Sequence, residues 1–356
     1  GTGVLSIGTG GGISYGSAST TSIAGIPSSG SGRITTSHSA GELVSYSSIA
    51  RGFYVVDIKL GKVIWKLEAA SASDNAVAYP MTSSPVAVDS DSDGYLNYVY
   101  ITDLGGQLWR FDVGTPGTFD NTTNLVTAGW SGKRIFTAPT AISQRAFNKV
   151  EVGFDAGFNR WIFFGTGDRE KPEDSGTGRI YAIRDGNPSS PYTESNLSNF
   201  TSVIANTDNT VTGTVTPTQN GWFAVLPNTN EKILSDPVLF NDVLFFTTFK
   251  SDTTNLCGGG GDARLYGIRT SLAATTGATN MSAGAGALLP AAGTARVRAR
   301  LLDSGGIPSS AVVSMSASGG VNLYVGTTSS SRVQAFTIDA PTRFKRLRKW
   351  KETIGQ

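Results

Sequence analysis

The chain has one cysteine, Cys257, and one histidine, His38, among 356 residues. A lone cysteine excludes an internal disulfide, although an exported protein of this size can fold without one. A lone histidine leaves little room for a Ser-His-Asp triad or a histidine-based metal site, since both need an imidazole at the reacting centre. His38 sits in a Ser/Gly-rich stretch. Cys257 precedes the glycine run at 258–261 and has only His38 as a possible imidazole partner, so it reads as a loop thiol, not a nucleophile. Charge is also scarce: Asp, Glu, Lys and Arg make up 16%, against about a quarter in ordinary globular chains. The net charge of +2 offers no electrostatic case for nucleic acid. The exception is the basic ending Arg343-Phe-Lys-Arg-Leu-Arg-Lys-Trp-Lys351, read as an edge strand with its charges in water. No apolar run reaches the ~18 residues that span a bilayer, so no membrane span is expected. Long amphipathic helices need Ala, Leu, Glu and Lys in register, and that register is missing. No signal peptide is visible; the chain begins Gly1-Thr2-Gly3, which reads as a piece of something longer.

What is present is glycine, 44 residues of it, with much Ser and Thr and frequent Val, Ile, Phe and Tyr. That mixture favours strands joined by turns. A pattern of apolar strand, turn and second strand also repeats. It is clearest in Tyr98-Val-Tyr-Ile-Thr-Asp-Leu-Gly-Gly-Gln-Leu-Trp-Arg-Phe-Asp112. It returns, with longer turns, from Trp161 to Asp185, from Val243 to Arg269 and from Asn322 to Asp339. A looser copy starts at Val4-Leu-Ser-Ile-Gly and resumes at Gly52-Phe-Tyr-Val-Val-Asp57. A short apolar run precedes each pair except the loose copy, and a further run follows most of them. Four strands per unit make a propeller blade, since one twisted sheet cannot bury both faces until others stack on it. The expected fold class is therefore all-β, a β-propeller of four-stranded antiparallel blades. Five units are visible, near 1–67, 82–137, 149–226, 232–302 and 311–351. The propeller spans 1–351, with a tail at 352–356. The first unit lacks its inner strand, so the ring is expected to be completed by residues upstream of Gly1. Low-complexity insertions near 17–48 and 271–293 carry little to bury.

The strongest local signal is Asp89-Ser-Asp-Ser-Asp-Gly-Tyr-Leu-Asn97. Calcium takes six to eight oxygens in flexible geometry. Carboxylates at alternate positions, Asp89, Asp91 and Asp93, can turn inward on one ion. Gly94 permits the sharp turn, Tyr95 can offer its carbonyl, and Asn97 can offer a side-chain oxygen directly or through water. Three carboxylates this close repel without a cation. An EF-hand would place Glu where Tyr100 stands and would flank the loop with helices, so the short form between two strands is expected. Mg²⁺ is the poorer fit because it demands strict octahedral geometry.

Other candidates have simpler readings. Gly165-Thr-Gly167 and the 258–261 run open no helix, so blade turns explain them better than a phosphate cradle. Asp168, Arg169, Glu170 and Lys171 read as a solvated charged turn. Trp109, Trp161 and Trp222 lie in strands and read as packing between blades. Asp103, ahead of Gly105-Gly106, is positioned to cap turn amides.

Pro85-Val-Ala-Val-Asp-Ser-Asp-Ser-Asp-Gly followed by the Tyr98-to-Asp112 segment closely resembles the C-terminal propeller of the PilC/PilY-type tip adhesins of bacterial type IV pili. Phe163-Phe-Gly-Thr-Gly167, Gly221-Trp-Phe with Glu231-Lys-Ile-Leu-Ser-Asp-Pro-Val238 and Leu244-Phe-Phe-Thr-Thr-Phe249, and Arg348-Lys-Trp-Lys-Glu352 match in order. The resemblance covers most of residues 50–352. It implies a modified propeller with one calcium site, the five visible blades being part of a seven-bladed ring. Its loop ligands carry over onto Asp89, Asp91, Asp93, Tyr95 and Asn97; the family usually ends this loop with Asp, so Asn97 lowers the ligand charge. The resemblance further implies an exported protein of the pilus tip or bacterial outer cell surface. Such proteins help pilus assembly with pilins or minor pilins, oppose retraction in a calcium-dependent way, and adhere to host or surface receptors through an N-terminal region not in this chain. Two rivals stand beside it. A quinone-dependent propeller dehydrogenase is suggested by Tyr54, Asp57, Gly61-Lys62 and Trp65, one motif where such an enzyme needs a full set. A non-enzymatic outer-membrane scaffold propeller would have no need of the acidic loop.

Overall fold

The computed structural model describes residues 5–9, 51–59, 61–69, 76–115, 117–139, 144–155, 157–205, 219–252, 260–270, 289–290, 296–297, 299–303, 305–316, 320–329 and 333–338. His38, Cys257, the 17–48 insertion and the basic ending lie outside them, as does all of the 271–293 insertion except Leu289–Pro290, a short strand paired with Arg296–Val297.

Alternation of apolar and polar residues builds five successive antiparallel sheets, in the places the repeat predicts. The first joins Leu5–Thr9, Gly52–Asp57 and Lys62–Glu68. The second runs Val86–Val88, Tyr98–Thr102, Gln107–Asp112 and Ser131–Thr137. The third runs Glu151–Phe154, Arg160–Gly165, Arg179–Arg184 and Gly221–Val225. In the fourth, Glu231–Ile233 and Val238–Phe240 both pair with Val243–Ser251, followed by Gly261–Arg269 and Ala299–Leu301. The fifth holds Val312–Met315, Val321–Val325 and Gln334–Ile338. Besides the split edge of the fourth sheet, two features exceed the four-strand pattern. Ser198–Asn199 adds a parallel strand beside Gly221–Val225, and Thr118–Asp120 with Leu125–Ala128 forms a separate hairpin inside the second unit.

Period-2 alternation gives the second, third and fourth sheets two apolar faces each, and each of those faces meets a different neighbour. Val99, Ile101, Trp109 and Phe111 of the second sheet pack on Phe53 and Val55 of the first. Tyr100, Leu108 and Phe136, on the other face, pack on Ile162, Phe164, Tyr181 and Ile183 of the third. Trp161, Phe163, Ala182 and Trp222 then meet Leu244, Phe246 and Tyr266 of the fourth, and Phe245 and Leu265 meet Leu323 and Phe336 of the fifth. The three tryptophans do fill the seams between sheets. Ring pairs such as Phe53 on Phe111, with centroids 3.9 Å apart, give the seams their aromatic character.

A polar clasp recurs in the second and fourth sheets. Ser83 Oγ accepts from Thr102 N at 3.1 Å and donates to Thr102 O at 3.0 Å, while Thr102 Oγ1 donates to Asn148 O at the start of the next blade. Ser235 and Thr247 repeat it, with Thr247 Oγ1 donating to Ser309 O at 2.8 Å. Each clasp satisfies buried hydroxyls and ties one blade to the entry of the next.

Candidate metal centre

The acidic loop joins the first two strands of the second sheet. Both ends are pinned, because Asn97 N donates to Val88 O and Val113 N donates to Asn97 O, each at 2.9 Å. Between those anchors the chain turns through left-handed conformations at Ser92 (φ 62°) and Gly94 (φ 89°). Gly94 is the residue type that accepts this without a Cβ penalty. One carboxylate oxygen from each of Asp89, Asp91 and Asp93 can lie within 4.8 Å of the others. Asp89 accepts from Ser92 N at 2.6 Å and Gly94 N at 2.9 Å, while Asp93 accepts from Tyr95 N at 2.8 Å. The Gly94 amide, with that of Ser92, holds the Asp89 carboxyl below its ordinary pKa against the opposing pull of burial. The donors are all hard oxygens, with no imidazole or thiolate in the group, which suits calcium and not zinc.

Asn97 turns differently from its expected pose. Its Oδ1 accepts from Ser90 N at 2.5 Å and Ser90 Oγ at 2.9 Å, and its Nδ2 donates to Asp91 Oδ2 at 3.3 Å. The amide bridges the loop's two arms, with its NH₂ facing a carboxylate. To offer Oδ1 to an ion it must release Ser90. Tyr95 is 68% exposed.

Immediately beyond the loop lies a buried ion network across the seam between the second and third sheets. Asp185 of the third accepts from Arg110 Nη1 at 2.9 Å and from Tyr100 OH at 2.6 Å, both of the second, and from Arg160 Nη2 at 3.3 Å. Arg160 also donates through Nε to Tyr100 OH at 2.9 Å and stacks 3.9 Å from the Tyr98 ring centre. Burial pushes the Asp185 carboxyl up, but the Tyr100 hydrogen bond and the Arg110 charge outweigh it and hold the group below its usual range. Sequence reasoning did not find this network: its members lie 75 and 85 residues apart, and only the aligned repeats could have hinted that the strand ends share a face.

Other sequence expectations divide. Asp103 caps its turn, accepting from Gly105 N at 2.9 Å, Gln107 N at 3.0 Å and Trp109 Nε1 at 2.8 Å. Asp168, expected in water, is buried instead. It accepts from Glu170 N at 2.9 Å and Lys171 N at 3.2 Å and lies 3.7 Å from Arg145, because folding brings a cation to it from a segment well ahead in the chain. Asp155 shows a device that the sequence reading missed. It caps Gly157 N and Asn159 N and receives Trp161 Nε1, organising in the third sheet the loop that corresponds to the acidic loop of the second.

Stacked antiparallel sheets with an all-oxygen acidic loop at one strand junction define an all-β propeller with a candidate hard-cation site. A family model described as the PilY1 beta-propeller domain matches residues 32–186. The type IV pilus biogenesis factor PilY1 of Pseudomonas aeruginosa strain UCBPP-PA14 is 39% identical over 71 residues, which is 20% of this chain and 6% of that protein. A PilY1 homolog of Xylella fastidiosa strain Temecula1 is 25% identical over 240 residues, 60% of this chain and 16% of that one. This chain thus spans a small part of the length of either relative. The crystal structure of the Pseudomonas aeruginosa PilY1 C-terminal domain superposes with a TM-score of 0.54 at 16% identity, over 83% of this chain and 68% of that one. The sequence matches support the PilY1-type family for this chain, and the solved structure supports the fold. Among the described residues no helix is long and apolar enough to cross a membrane.

Proposed function

We propose that this chain is a non-catalytic, calcium-binding propeller module of a type IV pilus biogenesis protein. The observation that carries the reading is the Asp89, Asp91 and Asp93 cluster, with oxygens that can lie within 4.8 Å of one another, on a PilY1-type propeller. Calcium would supply only charge neutralisation and oxygen coordination. Asp89, Asp91 and Asp93 would hold it, joined by the Tyr95 carbonyl and by Asn97. The loop's pinned ends would then pass that order to the strands at Val88 and Tyr98 and set one face of the blade for a pilus partner. Pilins or minor pilins are the proposed partners, the pilus tip or outer cell surface the proposed location, and assembly, resistance to retraction and adhesion the proposed roles. Relatives named as pilus biogenesis factors support the pilus part of this.

The test is calcium titration by calorimetry on the chain and on Asp91→Ala, with thermal melts alongside. One calcium per chain, lost in the variant and raising the melting temperature, is the expected result. A folded protein that takes up no calcium overturns the site. Stoichiometric quinone absorbance in the purified protein overturns the non-catalytic reading, and chelation that changes neither stability nor partner binding favours a plain scaffold.

A further inference from the structure

Lys232 is 0% exposed, and enclosing an ammonium is costly unless oxygens replace its water. The main chain supplies them. Lys232 Nζ donates to Pro172 O at 3.1 Å, to Asn230 O at 3.4 Å and to Asp174 O. An ammonium has three N–H groups, so these three carbonyls use all of them. Burial draws the group below its ordinary pKa, while the charges of Asp174, Asp168 and Glu173 pull the other way. Hard oxygens converging on one enclosed positive charge are the surroundings that a bound metal cation would have; here the cation is a side chain.

Two of the carbonyls, those of Pro172 and Asp174, belong to the loop at 166–178 that joins the second and third strands of the third sheet. Lys232 enters that loop from the fourth sheet. Glu231–Ile233 lies across its mouth: Ile233 N donates to Thr166 O at 3.1 Å on one limb, and Gly178 N on the other limb donates to Glu231 O at 2.8 Å. Glycine permits this approach. A Cβ on Gly167 would lie 2.6 Å from Lys232 Cβ, and one on Gly178 would lie 2.3 Å from Thr166 O and 3.3 Å from Lys232 Cα. The lysine stem thus rises between the limbs and ends under the turn. Without its charge the carbonyls of Pro172, Asp174 and Asn230 would converge with no donor between them, and enclosed acceptors without donors are costly. Antiparallel strands put this loop at the opposite end of the third sheet from the Asp155–Asn159 loop, the counterpart of the acidic loop.

We propose that Lys232 is a built-in cation that keeps the 166–178 loop closed over the junction of the third and fourth sheets, so that this end of the propeller holds its shape with or without calcium. The proposal does not rest on the calcium site. Its test is hydrogen exchange of the 169–177 amides, with tryptic cleavage after the exposed Arg169 as a second readout. Lys232→Met keeps most of the stem but not the charge. It should speed exchange in the loop by about tenfold or more, the factor that one lost charged hydrogen bond carries, while the Asp155–Asn159 loop keeps its wild-type rate. Lys232→Ala should open the loop as well. It should be closed again by n-propylammonium, which replaces the missing atoms from Cγ to Nζ, but not by n-propanol, which has the same length and no charge. In the wild type, calcium or a chelator should leave the loop's exchange unchanged, a measurement that needs no variant. Wild-type protection in a folded Lys232→Met, rescue of a folded Lys232→Ala by n-propylammonium no better than by n-propanol, or wild-type loop exchange that rises on chelation overturns the proposal.

Discussion

Replacing Asp185 by asparagine puts a number on the seam network. The side chain is fully buried and collects Arg110, Arg160 and Tyr100, while Arg110 is only 4% exposed. Asparagine keeps the shape and one acceptor but turns an NH₂ toward two guanidinium groups. The variant thereby strands buried positive charge, and breaking such a pair costs about 3–5 kcal/mol. Against a total stability of about 5–15 kcal/mol, that is a large fraction, and the urea midpoint should fall accordingly with the m-value unchanged. Tyr100→Phe removes one hydrogen bond to the same carboxylate, worth about 1.5–3 kcal/mol because the acceptor is charged. The double variant should cost less than the sum of the singles, since both remove that bond. Acid gives an independent check. The Asp185 carboxyl is held below its ordinary pKa, so its stabilisation is present above the unfolded value of about 3.9 and is lost as pH falls through the lower folded value. Wild type and Asp185→Asn should therefore converge in acid. A loss below about 1 kcal/mol at pH 7, or a gap that stays constant down to strong acid, refutes the reasoning.

Gly94→Ala meets open space but keeps φ at 89°, so it should cost about 1 kcal/mol by backbone strain alone and weaken calcium uptake; calorimetry and melting read both. Thr247→Val removes a hydroxyl that donates to Ser309 O at 2.8 Å and bonds Ser235 Oγ at 2.6 Å, with an expected loss of about 1–3 kcal/mol in urea unfolding. Burial pushes Asp103 up to about 7, against the Trp109 indole and the Gln107 and Gly105 amides. Its folded pKa is thus raised, and the stability it allows is full below about pH 4 and declines up to about pH 7. Asp103→Asn, uncharged throughout, should lack that slope in denaturant midpoints taken between those limits.

Local physics was readable from the chain. Strand pairs such as Tyr98–Thr102 with Gln107–Asp112 show themselves because alternation and an adjacent turn are properties of neighbouring residues. The cluster of Asp89, Asp91 and Asp93 is local for the same reason: the residues that would share an ion sit in one turn, and Gly94 supplies the φ that the turn needs. Stacking of five sheets followed from the repeat, because an exposed apolar face requires a neighbour.

Tertiary structure decided everything that joins one blade to the next. Asp185 meets Arg110 from 75 positions away, and no charge pattern along the chain distinguishes that pair from solvated ions. Asp168 looked solvated beside Arg169 and Lys171 until folding enclosed it against Arg145. Asn97 was placed correctly in its turn, but the direction of its amide depends on Ser90 and Asp91. Periodicity sets which face a side chain takes, since that is a matter of backbone geometry within a strand. Which partner it meets there depends on chain closure over tens of residues, and only the folded packing supplies that.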